Sequence, residues 1–182
     1  MFTVTLDACV LVPITLADYI LRAAQEQIFS VRWSPKILEE TKHAMMRLGV
    51  EDQAASRRIG HMQCAFPFAS TDITSAHRPP MTHDEKDWHV AAAALAADSH
   101  TIVTFNLKDF APEHLNPLGL NAIHPDDFLL DQLDLAPGRM MRALTAQSAA
   151  TRNPHRNVDE ILGTLGRIGV PRFADEARRH LT

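Results

Sequence analysis

The sequence is poor in the residues that mark several classes of protein. Among its 182 residues are only two cysteines, seven glycines and one tyrosine, and 6% of the side chains are aromatic. Two cysteines are too few for a disulfide framework, and neither a collagen-like nor a disordered chain has this composition. The longest near-apolar run, residues 90–97, is too short to span a bilayer. No basic segment followed by an apolar one opens the chain, so we expect a cytoplasmic protein with no signal peptide and no membrane partner.

The chain also lacks a large excess of charge of one sign. Its 18 lysines and arginines face 22 acidic residues, and the net charge of −4 argues against a protein that binds nucleic acid through bulk positive charge. The charge is unevenly spread, however. Residues 137–182 hold eight arginines and four acids, a net +4, which leaves −8 for the other 136 residues. The sequence therefore predicts an acidic body followed by a basic tail.

Hydrophobic periodicity predicts strands and helices in alternation. We expect strands at residues 2–6, 28–33, 66–69, 101–104 and 120–123. We expect helices at residues 16–25, 34–48, 51–63, 82–97, 128–135, 140–150, 158–168 and 172–180. Ser34-Pro35 and a capping box of Thr82 and Glu85 mark two of the helix starts. This order predicts an α/β fold with a mainly parallel central sheet in residues 1–130, and a basic, all-helical extension in residues 131–182.

Acidic residues gather at the predicted strand ends and helix starts. Ligands of open parallel sheets bind beyond the carboxyl ends of the strands. The acids in such places are Asp7, Glu39, Glu40, Asp84, Glu85, Asp87 and Asp109. Carboxylates that face one spot need a cation, and their hard oxygen atoms suit Mg²⁺ or Mn²⁺. Taken one at a time, most of these acids are more readily explained as turn residues, solvated helix faces or partners of a helix dipole, so the pattern alone leaves the metal site open.

Other chemistries lack their sequence signals. The ten histidines and two cysteines show none of the spacings typical of zinc sites, and neither a P-loop nor a G-x-G-x-x-G loop is present. Cys9 and Cys64 are expected to be small core residues. The alternative, a cysteine nucleophile, has no located base in the sequence. A haloacid-dehalogenase-type phosphatase would need a second Asp two residues after Asp7, where Cys9 stands.

Four motifs in chain order resemble the pattern of PIN-domain ribonucleases. They are Asp-Ala-Cys-Val-Leu at residues 7–11, Trp-Ser-Pro-Lys-Ile-Leu-Glu-Glu at 33–40, Asp-Glu-Lys-Asp-Trp-His-Val-Ala-Ala-Ala-Ala at 84–94, and Ile-Val-Thr-Phe-Asn-Leu-Lys-Asp-Phe at 102–110. Residues 126–182 resemble the helical C-terminal extension of one branch of this family, the VapC-like toxins. The resemblance implies a three-layer α/β/α fold and metal-dependent endonucleolytic cleavage of RNA.

The resemblance also assigns roles to individual residues. It implies four catalytic carboxylates that hold one or two Mg²⁺ or Mn²⁺ ions: Asp7, Glu40, Asp87 and Asp109. Asn106 stands where a variant of the family has Asp, so the last position of the metal shell is open between Asp109, Asp84 and Asn106. Thr104 is expected to hydrogen-bond one of the metal-binding carboxylates, and Asn106 to orient the site.

Partners follow from the resemblance and from the arginines. An RNA substrate would meet guanidinium groups on the tail and on one helix of the body, and the candidates are Arg57, Arg58, Arg142, Arg152 and Arg156. An equal alternative is that these arginines are solvated helix faces or contacts to a protein partner. The family implies the toxin half of a type II toxin–antitoxin pair, with a cognate antitoxin protein and a homodimer. The alternative to a nuclease is a PIN-like RNA- or protein-binding module with weak or no catalysis.

Overall fold

The computed structural model describes residues 2–74 and 88–181, in which four short strands form one sheet. The strands are β1 (Thr3–Leu6), β2 (Ser30–Arg32), β3 (Thr101–Val103) and β4 (Asn121–Ile123). Their order across the sheet is β2-β1-β3-β4, and every neighbouring pair is parallel. Parallel strands have their carboxyl ends along one edge of the sheet. The predicted parallel sheet is therefore confirmed.

Helices account for most of the other described residues. They are α1 (Ala8–Leu11), α2 (Ile14–Gln25), α3 (Pro35–Arg47), α4 (Asp52–Ala65), α5 (Trp88–Ala96), α6 (Pro112–Leu115), α7 (Pro125–Leu135), α8 (Pro137–Ala150), α9 (Val158–Ile168) and α10 (Pro171–Arg179). Short 3-10 turns at Leu107–Asp109 and Asn116–Leu118 flank α6. Within the described ranges, no helix is long and apolar enough to cross a membrane. The expected fold class, an α/β fold with a helical C-terminal extension, is confirmed.

The chain folds into two compact units. One, here called the sheet unit, comprises residues 2–12 and 30–123 and holds the four strands. The other, here called the helical unit, comprises residues 13–29 and 124–182. Helix α2 thus belongs with the C-terminal helices, although it precedes the second strand in sequence. The domain boundary expected near residue 130 stays a prediction.

The core of the sheet unit lies between the two central strands and an alanine-rich helix. Val4 and Leu6 on β1, and Ile102 and Val103 on β3, have no exposed surface. Helix α5 packs against both strands, and its residues 91–94 are fully buried. Small side chains allow the backbone of a helix to lie close to a sheet, so α5 is held firmly against the strands.

The start and end of α3 follow the sequence signals. Ser34 Oγ accepts a hydrogen bond from the Ile37 N–H at 3.2 Å, and Pro35 occupies the first turn. Gly49 follows the helix with a φ of +91°, a conformation that glycine adopts without steric cost. The predicted cap and the predicted end of the helix are confirmed, and together they fix the place of Glu40 within α3.

In the helical unit, buried polar groups join distant segments. Tyr19 on α2 is fully buried, its ring centroid lies 5.2 Å from that of Phe173 on α10, and its hydroxyl donates to the Met140 carbonyl on α8 at 3.3 Å. Asp126 on α7 is 5% exposed and accepts hydrogen bonds from two backbone N–H groups in the first turn of α10, at 2.8 and 3.2 Å. Val170, the N-cap residue of α10, has no side-chain acceptor. Asp126 therefore caps this helix from another part of the chain.

Two sequence predictions for the sheet unit are wrong. Residues 66–69 form a turn instead of a strand, and the neighbouring Ser70 makes an isolated bridge to Trp33. Helix α1 begins directly after Asp7, where no helix was predicted. The capping box predicted at Thr82 and Glu85 lies outside the described residues.

Candidate functional site

Asp7 stands at the carboxyl end of β1, one of the two central strands. Its backbone N–H donates to the Val103 carbonyl at 3.1 Å, and its own carbonyl accepts from the Val10 N–H at 3.1 Å. The residue is 7% exposed. Its carboxylate is therefore held where a central strand ends and α1 begins, the place where parallel sheets bind their ligands.

Two neutral side chains hold one oxygen of the Asp7 carboxylate. The buried Thr104, directly after β3, donates its hydroxyl hydrogen to Oδ2 at 2.7 Å, and the Cys9 thiol donates to the same atom at 3.0 Å. Thr104 Oγ1 accepts from the Asn106 N–H at 3.0 Å, and Cys9 Sγ accepts from the Phe105 N–H at 3.3 Å. Burial, with the Asp7 carboxylate beside it, raises the pKa of the Cys9 thiol to about 12. The thiol therefore stays protonated and is able to donate.

Glu40, on α3, is paired with a histidine on α5. His89 Nε2 lies 3.0 Å from Glu40 Oε1, and 8% of the His89 side chain is exposed against 36% of the Glu40 side chain. Burial lowers the pKa of His89 below its ordinary value of 6.5, although the Glu40 and Asp7 carboxylates act in the opposite direction. The ring is therefore neutral at pH 7. It donates from Nε2, because a carboxylate can only accept.

His89 places the two acids in one neighbourhood. Asp7 and Glu40 both act electrostatically on His89, and so does the Lys36 ammonium, which is 3.2 Å from the Glu39 carboxylate. Glu39 and Glu40 are adjacent in sequence, yet a cation pairs with the first and a neutral imidazole with the second. Among the described residues, the side chains that hydrogen-bond the Asp7 and Glu40 carboxylates are thus neutral, and these bonds do not offset the negative charge of the two acids.

The other predicted metal ligands either lie outside the described residues or are exposed. Asp84 and Asp87 lie outside the described residues. Asp109 is exposed in the 3-10 turn that follows β3, and Asn106 is exposed at the start of that turn. Across residues 2–74 and 88–181, no group of three potential metal ligands comes together. The metal-binding roles of Asp87 and Asp109 therefore stay predictions.

The two neighbouring arginines of α4 differ in environment. Arg57 is exposed. Arg58 is half-buried, and its guanidinium group donates to the Val12 carbonyl at 2.9 Å and to the Leu11 carbonyl. Both carbonyls belong to the C-terminal end of α1, where a cation is favourable. Arg58 thus holds the helix that begins at Asp7, and the predicted RNA contact of either arginine is untested.

The arginines of the C-terminal segment are mostly engaged inside the helical unit. Arg142 donates to the Glu26 carboxylate at 2.9 Å, and Arg156 donates to the Thr164 hydroxyl. Arg152, in the loop after α8, is exposed. Of the three predicted RNA contacts in this segment, Arg152 is the best placed to meet a phosphate, and the predictions for all three stay untested.

The predicted acidic body and basic tail do not correspond to the two compact units. The helical unit contains nine arginines and ten acidic residues, a net charge of −1, and the sheet unit carries the remaining −3. Several tail arginines pair with acids of the same unit, among them Arg172 with Asp127 and Arg178 with Asp159. The net +4 of the tail is therefore largely offset within its own unit.

Sequence reasoning missed His89 and gave both cysteines the wrong environment. Cys64 is exposed and Cys9 is half-buried against Asp7, although both were expected in the core. The signal for His89 was present, since this imidazole stands at the start of an alanine run in which residues 89–94 are all buried. A polar ring on a helix so deeply buried needs a hydrogen-bond partner, which here is an acid from another helix.

Two family models match the chain, and together they cover most of it. A model described as PIN domain matches residues 3–108, and one described as VapC50 C-terminal domain matches residues 125–179. The first match takes in the strands β1, β2 and β3 together with Asp7 and Glu40, and it spans more than half of the chain. The protein therefore belongs to the PIN-domain family, among its VapC-like members with a C-terminal extension, as the sequence motifs indicated.

Most of the chain is also similar to a known protein. The chain is 41% identical, over 134 residues, to the protein named "Putative ribonuclease VapC50" of Mycobacterium tuberculosis (strain ATCC 25618 / H37Rv). The match covers 73% of this chain and 76% of the relative. No solved structure matches the chain.

Proposed function

We propose that this protein is a metal-dependent endoribonuclease and the toxin of a type II toxin–antitoxin pair. One observation carries the proposal: Asp7, at the end of a central strand, and Glu40, on α3, both act electrostatically on His89, and each is hydrogen-bonded by neutral groups. Acids so held keep their charge for a cation. The PIN family match and the ribonuclease named among the relatives support RNA as the substrate.

Asp7 and Glu40 suit a hard divalent cation. Their carboxylate oxygens are the ligand type that Mg²⁺ and Mn²⁺ prefer, and Asp87 and Asp109 are proposed as further ligands. When bound, such an ion supplies an activated water and neutralises charge on the phosphoryl group.

The residues around the two acids prepare them for this role. Thr104 and Cys9 fix the orientation of Asp7 through its Oδ2 atom, which directs the rest of the carboxylate toward the site. His89 holds Glu40 without cancelling its charge. The Thr104 hydroxyl oxygen also accepts a hydrogen bond from the Asn106 N–H. Thr104 therefore contacts both the Asp7 carboxylate and the start of the turn that carries Asp109.

We also propose two macromolecular partners. The substrate is RNA, whose phosphates would meet the exposed arginines Arg57 and Arg152. The second partner is a cognate antitoxin protein, which follows from the VapC-like family membership. A homodimer stays an expectation from the family.

The test compares two adjacent acids on one helix. We expect Glu40→Gln to lower the rate of RNA cleavage in Mn²⁺ by at least about 100-fold, because it removes a direct ligand. Glu39→Gln, the matched control, should leave the rate within about twofold, since Glu39 is exposed and paired with Lys36. Equal rates in the two variants would contradict the proposed site.

A second measurement separates a nuclease from a binding module. Calorimetric titration of the full chain with Mn²⁺ should show binding that Asp7→Asn weakens, because Asp7 loses one negative charge without a change in shape. A PIN-like module that only binds RNA or protein need not bind Mn²⁺ at all. Absence of Mn²⁺ binding, together with absence of cleavage, would favour the module.

A further inference from the structure

We propose that His89 is a positioning residue for Glu40, whose carboxylate it holds by donating the hydrogen on Nε2. The inference rests on the proposed function, since it gives Glu40 a role in binding the divalent cation. It adds a residue to which the family resemblance assigned no role, and it gives a task to one atom of its ring.

The contact has the geometry that this task needs. His89 Nε2 and Glu40 Oε1 are 3.0 Å apart, a normal distance for a charge-assisted hydrogen bond. The two residues lie on helices that pack against each other, α3 and α5. His89 is 6% exposed, so its ring is fixed by its surroundings, whereas the Glu40 side chain is 36% exposed. The buried ring is therefore able to order the more exposed carboxylate.

The tautomer follows from the chemistry of the pair. An ionised carboxylate offers no hydrogen, so the hydrogen between His89 Nε2 and Glu40 Oε1 belongs to the ring. Among the described residues, the buried Nδ1 atom has no hydrogen-bond partner, so no acceptor there calls for a second ring hydrogen.

Fixing Glu40 matters because a glutamate has several rotatable bonds. An unattached glutamate loses side-chain freedom when it binds an ion, and this loss weakens binding. A hydrogen bond that already holds the carboxylate removes part of that cost, and outer partners of this kind change metal affinity by about 10–100-fold in known sites.

A purely structural role for His89 makes a different prediction. If the ring only filled space in the core, any polar side chain of similar size would replace it equally well. The amide nitrogen of glutamine reaches approximately the place of Nε2, and that of asparagine approximately the place of Nδ1. The pair His89→Gln and His89→Asn therefore tests which ring atom is needed.

The decisive measurement is Mn²⁺ binding by the full chain, followed by calorimetry. We expect His89→Asn to weaken binding by about 10-fold or more and His89→Gln to restore it to within about threefold of the wild type. His61→Asn, which removes an exposed histidine from α4, serves as the control and should bind as the wild type does. Equal losses in the Gln and Asn variants, or no loss in either, would overturn the assignment.

An independent reading comes from the metal-free protein. Nitrogen-15 NMR of the His89 ring should show a proton on Nε2, and Glu40→Ala should speed the exchange of that proton with water. A ring protonated on Nδ1 would overturn the inference, even if neither His89 variant folds. Because this spectrum needs neither metal nor RNA, it tests the contact separately from the proposed function. If the chain neither binds Mn²⁺ nor cleaves RNA but still shows the Nε2 proton, the proposed nuclease function is refuted. The hydrogen bond from His89 to Glu40 then stands, but its role in positioning a metal ligand is refuted together with the nuclease.

Discussion

Three acids of the helical unit and the two candidate acids of the sheet unit have different kinds of partner. In the helical unit, acids such as Glu26, Asp127 and Asp159 pair with arginines, and their charge is offset locally. In the sheet unit, Asp7 and Glu40 are held by a hydroxyl, a thiol and a neutral imidazole. The charge of the hydrogen-bond partner therefore distinguishes a carboxylate in an internal ion pair from one that remains able to bind a cation.

The contrast also corrects a conclusion from charge counting. A net +4 over residues 137–182 suggested a basic tail free to bind phosphate. Folding brings that tail together with the acids of α2 and α7 in one unit, whose net charge is −1. Charge along the sequence is therefore a poor guide here, because the units are not continuous segments of the chain.

The largest expected effect breaks the helical unit while it spares the site. Asp126→Ala leaves the first turn of α10 without its two-bond cap and should lower the free energy of unfolding by about 2–3 kcal/mol. Urea unfolding measures this. Asp127→Ala is the control, and it should cost less than about 1 kcal/mol because that acid is more exposed and only pairs with Arg172. A similar loss of unfolding free energy in both variants would show that the two hydrogen bonds from α10 to Asp126 contribute no more than an exposed ion pair.

The second change removes a neutral partner in the sheet unit. Thr104→Val keeps the shape of the side chain but deletes the hydroxyl that holds Asp7 Oδ2 at 2.7 Å. We expect RNA cleavage, measured as kcat/KM, to fall by about 10–100-fold. Thr104→Ser should recover most of the rate. Thr101→Val, which alters another threonine of the same segment whose hydroxyl bonds Asn121, should have little effect on cleavage.

The third change separates two adjacent arginines. Arg58→Met should destabilise the protein by about 1–2 kcal/mol, since it removes donors from the last carbonyls of α1. Arg57→Met should leave stability unchanged, and the salt dependence of RNA binding then tests whether Arg57 contacts a phosphate. If Arg58→Met leaves the urea midpoint where it was, α1 does not depend on this cap.

The smallest effect is a dependence on alkaline pH in the helical unit. Burial raises the pKa of Tyr19 well above its ordinary value of 10. The unfolded chain therefore loses the tyrosine proton above about pH 10 while the folded chain keeps it, so stability falls as pH rises, by at most about 1.4 kcal/mol per pH unit. Tyr19→Phe should flatten this decline in urea midpoints between pH 9 and 11. The sequence has one tyrosine, so tyrosinate absorbance reports this group alone.

Much of the fold was predictable because local signals determine it. The Ser34-Pro35 start of α3 and the β-branched strand after residue 100 both stand where the pattern placed them. The turn at residues 66–69 was misread as a strand, because the apolar pair Phe66 and Phe68 suits either structure and only tertiary contacts decide.

The motifs single out Asp7 and Glu40, but they do not indicate which side chains hydrogen-bond these acids. Asp7 stands out by its place at a strand end, and Glu40 through the family resemblance. The hydrogen bonds from Thr104 and His89 join segments that are far apart in sequence, and no local pattern encodes them. Asp126 shows the same limit, since it reads as a helix-start acid of α7 while it caps α10.

The bond between Asp7 and Thr104 has a consequence for the order in which the chain matures. The two residues are 97 positions apart in sequence, and the Asp7 N–H also donates to the carbonyl of Val103, the last residue of β3. During synthesis from the N-terminus, the first acid emerges early but has neither partner until β3 has left the ribosome and paired with β1. A nascent or prematurely terminated chain that ends before residue 104 therefore carries Asp7 without the Thr104 hydroxyl that orients its carboxylate.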